Sequence, residues 1–222
     1  MISFTSLTLP FLHKTFQNFS LAPENHFQAL PLWGHNGAGK TLFFQSLCLF
    51  FPLQRPSDFF VQQEKITPQN RAKFIAFKST QLPLDQKILV EDYWNLASYS
   101  LSSFQKKEFV EKKYYYSKLF EVDSFRKKIF QELSEGQKQK VDCCRVFLQQ
   151  TPVILLDEPL SFLDYSSQGK FLELIQKLAH EEKKLILFSL HDAYLLTKFF
   201  SHCLVLEQKL TMVTKDFFIP LL

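Results

Sequence analysis

An α/β fold with a buried parallel sheet is what this 222-residue sequence predicts, and three stretches predict it. PVILLDEPL (152–160) is an apolar run ending in two acids and a proline, the pattern of a strand covered on both faces. KLILFSLHD (184–192) is a second such run. Between them SSQGKFLELIQKLAHEE places Phe171, Leu174, Ile175 and Leu178 at helical spacing. The third stretch is WGHNGAGKT (33–41), which follows the apolar FQALPLW and precedes the helix-like LFFQSLCLF. Strands alternating with helices make a sheet that carries its ligands at the strand ends.

FQALPLW reads as the strand feeding the glycine cluster, and Pro31 within it predicts a local distortion, since proline removes a ladder hydrogen bond. The chain has five glycines where ordinary usage would supply roughly fifteen. Three of the five fall between residues 34 and 39. Gly34 to Thr41 fits G-x-x-x-x-G-K-[ST], the phosphate-binding loop. Glycines there let successive backbone N–H groups curl toward an anion, and the following helix aims its positive end at the same place. Lys40 would reach the β- and γ-phosphate oxygens of a nucleotide, and the Thr41 hydroxyl would ligate Mg²⁺. The expected nucleotide-binding stretch is therefore Gly34, His35, Asn36, Gly37, Ala38, Gly39, Lys40, Thr41 and Leu42.

In PVILLDEPL the acids stand at the end of the strand, where α/β sheets place ligand groups. Asp157 would hold Mg²⁺, directly or through water, and Glu158 would polarise the water that attacks the γ-phosphate.

Composition narrows the remaining classes. Hydrophobic residues make up 46% and charged residues 22%, ordinary for a globular domain. No stretch approaches the roughly 18 apolar residues of a membrane span, and MISFTSLTLPFLHK lacks the basic start of a secretory signal. A cytoplasmic location is expected. Cys48, Cys143, Cys144 and Cys203 show neither C-x-x-C nor metal spacing and read as reduced thiols. The 26 phenylalanines read as a coding bias, which makes doublets such as Phe59-Phe60, Phe199-Phe200 and Phe217-Phe218 core or interface positions. Between Gln105 and Lys140 ten basic residues meet six acidic ones, a surplus that a phospholipid or nucleic acid could use.

LSEGQKQK (133–140) resembles the LSGGQ signature of the ATP-binding subunits of ABC transporters, with Glu135 in place of the first glycine. Gln81 in AFKSTQLP fits that family's Q-loop, Ser161-Phe162-Leu163-Asp164 its D-loop, and His191 its switch histidine. The resemblance runs from about Leu7 to Leu206. It implies an α/β P-loop NTPase core of RecA-like type, with an N-terminal antiparallel β region and an inserted α-helical subdomain. The expected layout is one ABC ATPase domain over 1–222, its core formed by 1–81 and 150–222 and its helical subdomain by about 82–149. The latter lacks a convincing apolar strand, and Val110, Tyr114, Leu119 and Phe120 are expected to be buried in it.

The resemblance also implies a composite mechanism with ATP and Mg²⁺. Two subunits face each other head to tail, and the signature of one completes the phosphate loop of the other. Ser134, Gly136 and Gln137 would then contact nucleotide across the interface. Asp164 would organise the facing site, His191 would touch the γ-phosphate, and Gln81 would sense Mg²⁺ and water. Glu158, His191 and Gln81 are thus the catalytic candidates, and Thr41, Gln81 and Asp157 the metal candidates. Phe11 is the candidate adenine platform, with Phe16 as a rival. Glu135 is expected to turn to solvent, and hydrolysis is expected to be active.

A separate permease, a second nucleotide-binding subunit (a homodimer being the simpler form) and a substrate-binding protein are the implied partners. The chain would sit at the cytoplasmic face of the membrane. A permease element would enter a groove at about residues 78–115, where QLPLDQKILVEDYWNLASYS is apolar and aromatic. RAKFIAFKSTQ and the helix directly after His191 favour importers of iron chelates, haem or cobalamin. A haem-exporter ATPase of cytochrome c maturation is the alternative, as is an ATPase acting on nucleic acid or the ribosome through the lysine-rich segment. Nucleic acid is not the expected partner, because the chain carries neither the second ATPase domain nor the coiled coil of such proteins.

Overall fold

A computed structural model describes residues 2–9, 12, 14–21, 28–51, 58–80 and 87–218. The chain opens with β1 (Ile2–Leu9) and β2 (Lys14–Leu21), paired antiparallel from Ile2↔Leu21 to Leu9↔Lys14. Ile2 and Phe4 are buried, the alternation changes phase across Thr5 and Ser6, and Leu7 and Leu9 are then buried together with Phe16 of β2. Strand β3 (Ala29–Trp33) leads into the glycine loop and α1 (Lys40–Leu47). Strands β4 (Phe59–Val61) and β5 (Glu64–Lys65) complete a four-stranded sheet of order β2-β1-β4-β5. The one-turn helix α2 (Arg71–Phe74) precedes β6 (Ile75–Lys78).

A helical stretch follows, with α3 (Val90–Asn95), α4 (Ser103–Leu119) and α5 (Glu135–Leu148). The chain then alternates β7 (Val153–Leu156), α6 (Tyr165–Glu181), β8 (Leu185–Ser189), α7 (Ala193–Phe199) and β9 (His202–Leu206). It closes with β10 (Leu210–Thr214) and the single turn α8 (Lys215–Phe218).

The six-stranded sheet has the order β10-β9-β3-β8-β7-β6, parallel throughout except for β10. Its strands are apolar on both sides because both sides are covered. Val153 and Leu155 face the layer shared with the smaller sheet and α1, whereas Ile154 and Leu156 face α5 and α6. Each fully buried leucine or isoleucine contributes roughly 1.5–3 kcal/mol of transfer free energy. The α/β core and the antiparallel N-terminal region expected from the sequence are both present.

Two expectations need correction. Pro31 does not distort β3, which pairs with β8 in unbroken register over Ala29–Leu32. The carbonyls of Gln28 and Leu32 point to β8, so Pro31 faces the other neighbour, β9, whose pairing begins only at Leu32. The missing N–H therefore lies on the β9 side, just before the first β3–β9 pair, and leaves the β8 ladder intact. Val110 and Tyr114 are not core residues, being 69% and 59% exposed, while Leu119 is partly buried and Phe120 buried. Helix α4 starts at Ser102, whose hydroxyl accepts from Gln105 N–H (3.3 Å) while Gln105 Oε1 accepts from Ser102 N–H (3.0 Å). From that start the inward stripe is Phe109, Lys113, Tyr116 and Ser117.

The four cysteines are buried free thiols, as expected. Phe59 and Phe200 are core and Phe60 and Phe199 are partly buried; the side chains of Phe217 and Phe218 lie outside the described residues.

Candidate functional site

The parallel strands β3, β7 and β8 end side by side, and each releases one part of the site. From β3 comes the loop 34–39. Its last residue, Gly39, adopts φ 101°, and a Cβ there would sit 2.5 Å from a Leu12 methyl, so both backbone and space require glycine. A Cβ on Gly34 would stand 2.9 Å from the Leu206 carbonyl oxygen. Asn36 and Gly37 are exposed at the tip and Ala38 is buried. Helix α1 begins at Lys40 with no side chain capping it and no acid in its first turn. Helices α4, α5, α6 and α7 are capped by Ser102, Ser134, Asp164 and Asp192. Free amides at α1 are a fit for an anion.

The Lys40 ammonium donates to the carbonyls of Gly34 (2.6 Å) and His35 (3.0 Å), which holds it inside the loop. Burial lowers its pKa, and the nearby Asp157 and Glu158 charges partly restore it. A cation folded against carbonyls is a group that a phosphate could draw outward.

From β7 come Asp157 and Glu158. Asp157 is fully buried, and its Oδ2 accepts from the Thr41 hydroxyl at 2.7 Å while its Oδ1 accepts from Ser189 at 3.1 Å. Burial raises its pKa, and these two hydrogen bonds oppose the rise. A hydroxyl beside one carboxylate is the oxygen donor set that Mg²⁺ uses together with nucleotide phosphates. Among the described residues no group of three or more His, Cys, Asp or Glu could hold a metal alone. Glu158 takes a left-handed φ of 45°, a conformation that costs a non-glycine residue roughly 1 kcal/mol or more. Its Oε2 accepts from Ser161 at 3.2 Å, and its Oε1 stands 3.6 Å from Nε2 of His191.

His191 follows β8. Its pKa is lowered by burial first and by the Lys40 charge second, with Glu158 acting in the opposite sense. Burial and the Lys40 charge thus favour the neutral imidazole.

Asn36, Gly37, Gly39, Lys40, Thr41, Leu42, Asp157, Glu158 and His191 together line one open cavity of about 390 Å³. Gly34, His35 and Ala38 do not line it; Gly34 and Ala38 are buried and His35 is exposed. Ser134, Gly136 and Gln137 do not line it. They open α5, where Ser134 Oγ accepts from Gln137 N–H and Gln137 Oε1 accepts from Ser134 N–H. Glu135 is exposed and accepts from Lys138 at 2.8 Å, so it does turn to solvent. Asp164 is exposed and caps α6 by accepting from Ser167 N–H at 3.0 Å, a bond that lowers its pKa. Gln81 and Phe11 lie outside the described residues. Phe16 is only 3% exposed and packs edge-on to Phe43, so it belongs to the core and offers no face to a base.

Three residues of this region were not anticipated. Ser189 bridges the two acids, since its oxygen also accepts from Glu158 N–H at 2.6 Å. Lys78, fully buried, donates to the Asp157 carbonyl at 3.2 Å. Lys14 donates to the Ala38 carbonyl at 3.3 Å. The available signal was a polar residue inside an apolar strand, Ser189 in LILFSL and Lys78 in IAFK.

Half of the ten basic residues between Gln105 and Lys140 are paired, and Glu91 is the one partner acid from outside that segment. Lys113, Lys118, Arg126, Lys138 and Lys140 each pair with a carboxylate. Among the described residues no helix is long and apolar enough to cross a membrane.

The family model described as ABC transporter matches residues 17–161. The chain is 28% identical over 182 residues to the hemin import ATP-binding protein HmuV of Vibrio parahaemolyticus, spanning 79% of this chain and 70% of that one. It is 30% identical over 184 residues to the chelated iron transport system membrane protein YfeB of Yersinia pestis, spanning 80% and 61% respectively. A dimeric bacterial ABC transporter cassette of known structure superposes with a TM-score of 0.75 at 19% identity, covering 97% of this chain and 99% of that one.

Proposed function

We propose, from the premise that this chain belongs to the ABC transporter family, that it is the ATP-hydrolysing subunit of an importer for metal chelates. As a member it binds and hydrolyses ATP to energise transport through a separate permease. The observation that carries the residue-level reading is the single cavity that joins Lys40, Thr41, Asp157, Glu158 and His191 while excluding Ser134, Gly136 and Gln137. This supports a composite site in which Ser134, Gly136 and Gln137 serve the nucleotide of a second copy.

In this reading the free amides of α1 and the Lys40 ammonium hold the β- and γ-phosphates, with Leu42 and the loop from Gly34 to Gly39 shaping the seat. Thr41 and Asp157, with Gln81, would hold Mg²⁺, which would supply Lewis-acid stabilisation of the phosphate charge. Glu158 orients the attacking water and takes its proton. Neutral His191 contributes a hydrogen bond at the γ-phosphate. Phe11 stacks on adenine.

Phe162, Tyr165 and Tyr194 are exposed around Asp164 and His191. Aromatic side chains around a polar site suit a face that a second subunit covers. Ser134, Gly136 and Gln137 of the second copy then close on the nucleotide, with Asp164 beside them. The helical segment 82–149 and the core formed by 1–81 and 150–222 act as the two moving parts. The permease meets the outer face of the first part, where Leu89, Leu96 and Tyr99 are exposed while Tyr93 and Trp94 are buried. Metal-chelate import is the cargo class because HmuV and YfeB serve haemin and chelated iron. A substrate-binding protein outside the membrane belongs to such an importer, and the ATPase to its cytoplasmic face.

The test is Glu158→Gln in the full chain. It is expected to retain ATP binding, lose turnover by about 10²-fold or more, and accumulate as an ATP-bound dimer on size exclusion. Turnover at the normal rate would remove Glu158 as the base. Affinity purification from gently solubilised membranes tests the transporter assignment, and the cargo follows from the permease that accompanies the chain.

A further inference from the structure

We propose that Ser189 is a positioning residue for ATP hydrolysis, whose hydroxyl ties the strand carrying His191 to both acids of the site. It is the last residue of β8, 2% exposed, at the end of an otherwise apolar strand. One oxygen makes two bonds, accepting from Glu158 N–H at 2.6 Å and donating to Asp157 Oδ1 at 3.1 Å.

The sheet explains why a hydroxyl is needed there. Asp157 N–H is satisfied on one side of β7, by the Lys78 carbonyl of β6 at 2.9 Å. The next amide, that of Glu158, points to the other neighbour, β8. The pairing of β7 with β8 ends at Leu156↔Phe188, so no ladder carbonyl receives it. The Ser189 side chain takes that place. An apolar residue like its neighbours would leave that part-buried N–H without this partner.

Glu158 leaves the strand at φ 45°, and the direction of its carboxylate depends on that turn. The Ser189 bond anchors the turn at its first atom, and the Ser161 bond steadies the carboxylate at the far end. His191 lies two residues beyond Ser189 in the same chain, so a shift of the switch histidine reaches the Glu158 backbone through one hydroxyl. The role rests on the reading of Glu158 as the base.

The experiment measures steady-state ATPase kinetics and ATP affinity of the full chain in Ser189→Ala, Ser189→Thr, Glu158→Gln and the Ser189→Ala/Glu158→Gln double variant. Ser189→Ala is expected to lower kcat by about ten- to a hundredfold, the cost of a small misplacement of a reacting group, and to leave ATP affinity within about twofold. Ser189→Thr keeps the hydroxyl and restores most of kcat. In the Glu158→Gln background the residual rate falls no further.

Normal kcat in Ser189→Ala, failure of threonine to rescue, or an equal loss in the Glu158→Gln background would overturn the positioning role. Normal turnover in Glu158→Gln alone would instead remove the base assignment beneath it. If Ser189→Ala does not melt cooperatively, Ser189→Cys takes its place: a weaker acceptor of nearly the same size gives an intermediate kcat if the role holds and an unchanged one if it does not.

Discussion

Two helices of this protein begin at proposed phosphate contacts, and their ends are built in opposite ways. Helix α1 starts uncapped, with Gly39 in the left-handed region and the Lys40 ammonium bound to loop carbonyls. Helix α5 starts with its cap complete, Ser134 and Gln137 each accepting the other's N–H. On the proposed reading, the first end keeps its amides for an anion bound by the same chain. The second has no phosphate of its own, and its amides would be unsatisfied in the lone subunit. The capping box satisfies two of them, the N–H groups of Ser134 and Gln137.

The largest effect that could break this contrast comes from Lys40→Ala. Loss of the charge is expected to weaken ATP binding in the isolated chain by about 10²-fold, readable by calorimetry. Unchanged affinity would mean that α1 is not the primary phosphate site. Next in size is Gly136→Ala, whose Cβ would stand 2.9 Å from the Phe162 carbonyl oxygen. Turnover is expected to fall about tenfold with ATP affinity intact, and a fall in affinity instead would place the signature inside the chain's own site.

Ser134→Ala removes the α5 cap and should cost about 1 kcal/mol of stability in a denaturant titration. No cost would show the capping box to be idle. The smallest effect belongs to Glu135→Gly. Its ion pair with Lys138 is on the surface, so stability should change by about 0.5 kcal/mol or less from the pair itself, plus the propensity cost of glycine near a helix end. A marked gain in ATP turnover would instead mean that Glu135 opposes the triphosphate.

How much was legible beforehand follows the same divide between local and assembled features. The phosphate loop, Asp157, Glu158 and His191 could be read because each is defined by neighbours in sequence, and the sheet then brings them into one cavity. Ser189 could not be read that way, since its function depends on where the pairing of β7 with β8 stops. The harmless Pro31 is a similar case, decided by which neighbour its nitrogen faces. On α4 the run of three tyrosines fits several helical phases, and only the cap at Ser102 and the packing of Tyr116, whose hydroxyl donates to Glu182 at 2.5 Å, select one. Phe16 shows the cost of a Phe-rich composition, which makes a ring at the expected place a weak indicator of a base platform.

The approach of Gly136 to the Phe162 carbonyl bears on how such subunits can be recombined. The signature helix and the 161–164 turn are distant in sequence yet fitted to each other at backbone range. A chimera that transplants residues 88–148 from a relative would set a foreign helix against a native turn. Moving both segments together would keep the fit, so the unit that can be exchanged between relatives is discontinuous in the chain.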